Sequence, residues 1–256
     1  MNSQPKTFLN QILEKIPANT VALSSWLREQ GISKSLQNVY KKHFWLKSIG
    51  QGAFIKFSSD KATLNGAIYA LQQQANLKIH IGALFALTLN GKAHYVRFKN
   101  TYHLFTDKKT TIPKWFAQYH FDEDKWKIYK TSFLPADIGL TDYNVGNYTI
   151  KISSPERAIL EVLYLTPDEI DIDEAYKIFE GLSGLRPQIM QSLLENCNSI
   201  KVKRLCLFFA EKSRHAWFKY LDLTKIDLGK GRRSIIKGGV LDKKYNIVIG
   251  GIDYEN

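Results

Sequence analysis

The segment from residue 20 to residue 57 constrains the fold more than any other part of the chain, because two amphipathic helical patterns are followed by an alternating strand pattern. Gly31 separates the two helical patterns, since glycine readily takes the left-handed conformation that ends a helix. Ser33 can cap the second helix. The strand pattern reverses around residues 50–52, Gly-Gln-Gly, which is typical of a hairpin. This order of elements predicts a winged helix-turn-helix, a module that places one helix in the DNA major groove.

The second helix of this module carries a polar face whose chemistry suits DNA. Leu36, Val39 and Tyr40 are expected to face inward. On the other face, Gln and Asn can pair with adenine edges, while Lys, Ser and the helix N-terminus can hold phosphates. The residues expected to face DNA are Lys34, Ser35, Gln37, Asn38, Lys41 and Lys42 on the helix and Lys47, Gln51 and Lys56 on the hairpin, or wing.

Positive charge is concentrated at the N-terminal end of the chain. Residues 1–100 carry 13 Lys and Arg against 3 Asp and Glu, a net charge of +10, whereas the remaining 156 residues carry 23 against 21. Such asymmetry indicates an end that binds a polyanion. A small helical domain with a solvated basic face would explain the charge alone. It would not explain the helix order, the turn glycine and the hairpin together.

The pattern changes near residue 100, where short aromatic strands with mixed charges begin. We therefore expect an α+β chain, with a winged-helix DNA-binding domain and helical extension over residues 1–100 and a mixed α/β domain over residues 101–256. Two cysteines without CxxC spacing suit a reducing cytoplasm. The longest apolar run is about half of what a bilayer span needs, and no secretory signal is recognised. The expected protein is cytoplasmic and does not enter a membrane.

Several polar motifs of the C-terminal part admit a chemical interpretation as well as a structural one. Glu156 and Arg157 begin a helix and are interpreted as a capping glutamate and a solvated arginine. Asp171 and Asp173 enrich another helix N-terminus and lack a third spaced metal ligand. The glycine-rich, basic segment 229–233 lacks the pattern of a P-loop and is either a loop that touches nucleic acid or a plain hairpin turn. No catalytic residue, metal or cofactor is predicted.

Four long tracts carry a resemblance to a known family. They are GAIYALQQQANLKIHIGALFALTLNGKAHYV, ISSPERAILEVLYLTPDEIDIDEAY, GLSGLRPQIMQSLLENCNSIKVKRLCLFFAE and LGKGRRSIIKGGVLDKKYNIVI. Through them residues 5–253 resemble the AbiEi family, the antitoxins and transcriptional regulators of bacterial type IV toxin–antitoxin systems. The motifs are long and ordered, so the resemblance is specific.

This resemblance implies a winged helix that binds inverted repeats in double-stranded DNA ahead of its own operon and represses it, and a C-terminal domain needed for antitoxicity. The implied functional partner is an AbiEii-like nucleotidyltransferase toxin, countered without a stable complex. We expect a monomer in solution that pairs on DNA. Basic residues of the C-terminal domain contact DNA in relatives, and the matching motifs here contain a second basic surface of Lys201, Lys203, Arg204, Arg232 and Arg233.

Two other functions remain open from the residues themselves. An enzyme acting on nucleic acid would need a carboxylate cluster with Lys, or a nucleophile with an adjacent base. The chain offers Asp171, Asp173 and His215, whose spacing matches neither arrangement. An interaction module that binds the toxin directly could use the helical C-terminal half. The favoured hypothesis is a non-enzymatic autorepressor that is also an antitoxin.

Overall fold

A computed structural model of the chain describes residues 8–57, 61–92, 101–121 and 125–250. The described residues form two compact units between which the chain passes several times. The winged-helix unit takes its residues from 1–80, 109–125 and 142–151, and the second unit from 81–108, 126–141 and 152–256. The domain boundary expected near residue 100 falls beside residues 93–100, which lie outside the described residues, and it stays a prediction.

The winged-helix unit begins with the elements that its name requires. In chain order they are α1 (Phe8–Lys15), β1 (Ala22–Leu23), α2 (Ser24–Glu29), α3 (Lys34–Lys42), β2 (Leu46–Gly50) and β3 (Ala53–Lys56). The three strands form an antiparallel sheet in the order β1-β3-β2. The winged helix predicted from residues 20–57 is confirmed.

Local chemistry explains where the helices of this module begin and end. Gly31 has a φ of 88°, the left-handed conformation that ends α2. The Ser33 side chain caps α3 by accepting a hydrogen bond from the backbone N–H of Leu36 at 3.2 Å. The module has its own apolar core, to which burial of each large side chain contributes about 1.5–3 kcal/mol. The core residues are Ile12, Ile16, Ala22, Leu27, Ile32, Tyr40, Leu46 and Phe54.

A fourth helix packs onto the start of the module. This helix, α4 (Leu64–Gln73), is capped by Thr63 and closely approaches the chain before β1, since a Cβ on Gly66 would lie 2.1 Å from the carbonyl oxygen of Asn19. Just after α4, the Gln74 amide accepts a hydrogen bond from Leu23 N at 2.7 Å and donates one to Val21 O at 2.8 Å. Gln74 therefore occupies the edge of β1 that β3 leaves open.

A five-stranded sheet has the order β6-β5-β4-β8-β7, in which β4 and β8 are parallel and β5 and β6 are parallel. Two short helices stand between its strands in the chain. The elements are β4 (Ile79–Gly82), α5 (Ala83–Leu89), β5 (Tyr102–Thr106), α6 (Lys114–Gln118), β6 (Trp126–Lys130), β7 (Leu140–Asn144) and β8 (Thr149–Ser153).

The rest of the second unit is mostly helical and ends in a small three-stranded sheet. Its helices are α7 (Pro155–Leu165), α8 (Ile172–Glu180), α9 (Pro187–Glu195) and α10 (Ile200–Lys212), followed by 3-10 turns at Ala216–Tyr220 and Leu223–Lys225. The small sheet contains β9 (Arg233–Ser234), β10 (Val240–Asp242) and β11 (Ile247–Ile249), in the order β10-β11-β9. Among the described residues, no helix combines the length and the apolarity needed to cross a membrane.

Arg157 is buried in α7, so the interpretation of this residue as a solvated arginine is wrong. Its Nε donates to Glu161 Oε1 at 2.9 Å, and its Nη1 donates to the carbonyl oxygens of Pro135 at 2.6 Å and Ile138 at 2.7 Å. The other oxygen of Glu161 accepts a hydrogen bond from Ser153 Oγ at 2.7 Å. A buried ion pair persists only when its remaining polar atoms are bonded in this way. The pair therefore connects α7 to its surroundings in the second unit.

Candidate nucleic-acid interface

The exposed side of α3 presents one continuous polar face. Its residues recur at intervals of three, four and seven positions, which places them on the same side of a helix. They are Lys34, Ser35, Asn38, Lys41 and Lys42, and all five side chains are exposed. Three ammonium groups, a hydroxyl and an amide provide the chemistry of phosphate and base-edge contacts.

Gln37 is not part of this face, and the expectation that it faces DNA is wrong. Only 3% of the residue is exposed. Its Oε1 accepts a hydrogen bond from Ser24 Oγ at 2.7 Å, while its Nε2 donates to the carbonyl oxygens of Ser24 and Ile32 at 3.2 and 3.0 Å. Both ends of the amide are therefore used to join α3 to α2. Val39, expected to face inward, is exposed instead.

The wing is held against α2 at its tip and against α6 along β2. The backbone N–H of Ser24 donates to the carbonyl oxygen of Gly52 at 2.8 Å. A Cβ on Gly50 would lie 2.7 Å from Cβ of the buried Trp115, and Gly50 has a φ of 153°. Only glycine fits this contact. The sequence contains no local signal for the contact between Trp115 and the wing, because α6 follows β2 by more than sixty residues.

The three wing residues expected to reach DNA differ in exposure. Lys47 and Gln51 are exposed, on β2 and at the turn, whereas Lys56 on β3 is half-buried. The turn glycine Gly52 has a φ of 77°, a conformation that glycine adopts without strain. The wing hairpin therefore presents the ammonium group of Lys47 and the side-chain amide of Gln51 to solvent.

The second basic surface expected in the C-terminal domain is present only in part. Arg232 and Arg233 are exposed, but Lys203 and Arg204 on α10 are buried. Lys201 is half-buried, burial lowers its pKa, and its ammonium group donates to two backbone carbonyls at the C-terminal end of α7. The expectation of a surface position is therefore wrong for the residues of α10. The cations of Lys201 and Arg204 are held by backbone carbonyls within the second unit.

Arg204 shapes the loop that precedes the exposed arginines. Its guanidinium donates to four backbone carbonyls at distances of 2.6 to 3.0 Å. Gly229 and Gly231 have φ values of 63° and 74°, which let the loop turn its carbonyls inward. The four carbonyls belong to Leu228, Gly229, Gly231 and Asn246.

The residues considered for catalysis have structural contacts. Asp171 caps α8, since its Oδ1 accepts a hydrogen bond from Asp173 N at 2.9 Å. His215 is buried, with its Nε2 at 2.9 Å from the carbonyl oxygen of Phe179. Over the described ranges, no three His, Cys, Asp or Glu side chains are grouped as a metal ion would require.

Two family models together match nearly the whole chain. One, described as a transcriptional regulator and AbiEi antitoxin of a type IV toxin–antitoxin system, matches residues 99–250, and the corresponding N-terminal domain matches residues 5–98. No curated protein matches the chain in sequence. The fold is similar to the crystal structure of the RV2827C protein from Mycobacterium tuberculosis, with a TM-score of 0.57 and 12% identity over 96% of this chain and 92% of that one.

Proposed function

This chain belongs to the AbiEi family of transcriptional regulators and antitoxins of type IV toxin–antitoxin systems, and we propose that it represses its own operon by binding inverted repeats in the DNA upstream. The observation that carries the proposal is the exposed polar face of α3 next to the wing. In winged helices this helix enters the major groove. The first hundred residues carry a net charge of +10, which attracts the DNA backbone.

We propose a division of labour among the exposed residues. Lys41, Lys42 and Lys47 contact phosphates and supply affinity that falls as salt rises. Asn38 contacts a base edge in the major groove, where an amide can form two hydrogen bonds with adenine. The buried Gln37 acts indirectly by holding α3 against α2.

Pairing of two chains on the DNA would match the symmetry of an inverted repeat. Each winged helix would occupy one half-site, and the half-site centres would lie about 10–10.5 base pairs, or a multiple of this, apart. We propose that the chain is a monomer in the cytoplasm and pairs only on its operator. Sedimentation of the free protein and of the complex would measure both states.

The antitoxin activity is proposed to act on an AbiEii-like nucleotidyltransferase toxin without a stable complex and without catalysis by this chain. Co-expression of the two proteins followed by size exclusion tests this proposal. Separate elution, together with rescue of growth, is expected. Co-elution would favour the alternative of a direct toxin-binding module. Metal-dependent cleavage of nucleic acid that Asp173→Ala abolishes would favour an enzyme.

The decisive experiment for DNA binding is a titration of the full chain against labelled duplexes. One duplex contains the DNA upstream of the operon, and another has the same composition in scrambled order. We expect the upstream duplex to bind about 10³-fold or more tightly than the scrambled one at fixed salt. Equal affinities for the two duplexes would contradict operator recognition.

A further inference from the structure

An exposed aromatic cluster lies directly after α3. We call it the aromatic platform, and its members are His43, Phe44, Trp45 and Phe57. Phe44 is 65% exposed, Trp45 41% and Phe57 43%. The rings of Phe44 and Phe57 lie 5.0 Å apart, and the His43 ring stacks on Trp45 at 5.5 Å. The backbone N–H of Phe57 donates to the carbonyl oxygen of Trp45 at 3.1 Å, which joins the two ends of the wing hairpin beside these two ring pairs.

Phe44 occupies the position after the helix C-cap, where a residue in the left-handed conformation is usually glycine. The N–H of Phe44 donates to Lys41 O at 3.2 Å, and the N–H of Trp45 donates to Tyr40 O at 2.9 Å. These two bonds form a Schellman motif, whose left-handed residue is Phe44 with a φ of 57°. A side chain other than glycine is strained there. Glycine would form the same cap without this strain, so Phe44 places an exposed ring at a position that costs backbone free energy.

The charge around the platform indicates what kind of partner it contacts. From Gln30 to Ser59 the sequence contains five lysines and no Asp or Glu. Lys41, Lys42 and Lys47 of this segment are exposed and flank the platform in sequence. A second copy of the chain would bring like charges together, which disfavours association. A nucleic acid would bring negative phosphates to the lysines and flat bases to the rings.

We propose that the aromatic platform stacks on an unpaired nucleobase. Paired bases in a duplex expose only their edges in the grooves, whereas an unpaired base offers a whole face. Aromatic rings beside cations are the usual composition of sites for single-stranded nucleic acid. The inference deepens the proposed function and rests on it, since the same lysines attract the nucleic-acid backbone. The platform would hold unpaired bases next to the helix that contacts duplex DNA.

Binding of two oligonucleotides with equal charge tests the proposal. The probes are a labelled oligothymidine of about 12 nucleotides and an abasic strand with the same backbone. The full chain is expected to bind oligothymidine about tenfold more tightly than the abasic strand, and Phe44→Ala and Trp45→Ala are each expected to remove about tenfold of that affinity. The matched control is Tyr220→Ala, because Tyr220 is 66% exposed and belongs to the second unit. Tyr220→Ala is expected to leave the affinities for oligothymidine and for the abasic strand unchanged.

A second variant separates binding from folding. Phe44→Gly removes the ring and suits the left-handed backbone, so its melting temperature is expected to equal or exceed that of the parent while its affinity for oligothymidine falls about tenfold. Unchanged oligothymidine affinity in Phe44→Gly would overturn the proposal, as would equal affinity of the parent for the two probes. Platform variants that dissociate a dimer in sedimentation and leave oligothymidine binding unchanged would also overturn it, and would identify a self-association surface.

Different results would contradict stacking on the aromatic platform and operator recognition by α3. Asn38→Ala is expected to weaken binding of the upstream duplex and to leave oligothymidine binding unchanged. Absence of any preference for the upstream duplex, with oligothymidine binding still sensitive to Phe44→Ala, would contradict operator recognition and support the platform. A preference for the upstream duplex, together with an oligothymidine affinity that platform variants leave unchanged, would support operator recognition and contradict the platform.

Discussion

Gln37 Oε1 accepts a hydrogen bond from Ser24 Oγ at 2.7 Å, so helix α3, which we propose faces DNA, is joined to the first residue of α2 through partly buried polar atoms. The same glutamine donates to the carbonyl oxygens of Ser24 and Ile32. The three directional hydrogen bonds restrict how α3 is oriented relative to α2 and to the turn between the two helices. The exposed residues of α3 therefore depend on a residue that does not itself reach DNA.

Ser24→Ala is expected to lower the free energy of unfolding by about 1–3 kcal/mol, because it leaves Gln37 Oε1 without its donor in a buried position. Affinity for DNA should fall by a similar factor for every sequence, with base preference unchanged. Urea denaturation and a panel of duplexes with single base changes measure the two effects. Ser25→Ala, at an exposed serine of the same helix as Ser24, is the control and should leave stability within about 0.5 kcal/mol. If Ser24→Ala unfolds with the same free energy as the parent, the hydrogen bond between Ser24 and Gln37 does not stabilise the module.

Asn38→Ala should relax base preference at one position of each half-site. A well-made pair of hydrogen bonds to adenine discriminates by about 1–3 kcal/mol, so the preference at that position should fall by about tenfold. The same duplex panel measures the change. If Asn38→Ala weakens all duplexes equally, Asn38 contacts the backbone and not a base.

Lys41→Ala should weaken binding to every duplex and reduce the slope of log K against log salt by about 1, because one phosphate contact is lost. The measurement is a salt titration of the parent and the variant. Lys177→Ala is the matched control, since Lys177 is also an exposed lysine in the last turn of its helix. A changed base preference in Lys41→Ala, with an unchanged salt slope, would contradict the assignment.

The winged helix could be predicted because its signals are local. Gly31, Ser33 and the hairpin glycines each determine the conformation of their own few residues. Strand β1 gives no such signal, because it has two residues and its edges are completed by β3 and by Gln74, 51 positions away. The wing contact with Trp115 is equally non-local.

Burial of polar residues could not be predicted for a related reason. Gln37 and Arg204 have the composition of surface residues, and their sequence neighbours do not distinguish them from exposed ones. Each is buried where a backbone carbonyl from another part of the chain receives its hydrogen bond, that of Ser24 for Gln37 and that of Gly231 for Arg204. A cluster of cations such as Lys201 to Arg204 predicts a surface when only charge is considered. Here Lys201 instead donates to carbonyls at the end of α7, and Arg204 donates to carbonyls of the loop at residues 228–231.

Arg204→Ala is expected to lower the free energy of unfolding by at least about 2 kcal/mol, because hydrogen bonds from a charged donor contribute about 1.5–3 kcal/mol and four carbonyls would lose theirs. Arg204→Lys should restore only part of this loss, since an ammonium group cannot reproduce the guanidinium geometry. Arg232→Ala, at an exposed arginine of the same loop, should change stability by less than about 0.5 kcal/mol. Equal losses of unfolding free energy in Arg204→Ala and Arg232→Ala would contradict the buried, structural role of Arg204.

Stability at low pH should depend on Glu156 at the start of α7. Burial alone would raise the pKa of this carboxyl, but hydrogen bonds from Arg186 and Ser154 lower it to about 2. Because the pKa of about 2 in the folded chain lies below the ordinary value of 4.5, the unfolded chain binds the proton first. The contribution of Glu156 is therefore complete above pH 4.5 and is lost as the pH falls toward 2.

Glu156→Gln should remove this dependence, because the amide does not titrate and cannot match the charge of Arg186. We expect a loss on the order of 2 kcal/mol in the free energy of unfolding at pH 7, since the Arg186 side chain is partly solvated and the ion pair is weakened accordingly. The difference between parent and variant should shrink between pH 4.5 and 2, as measured by urea denaturation at each pH. A difference that stays constant over this range would show that Glu156 stabilises α7 by packing and not by its charge.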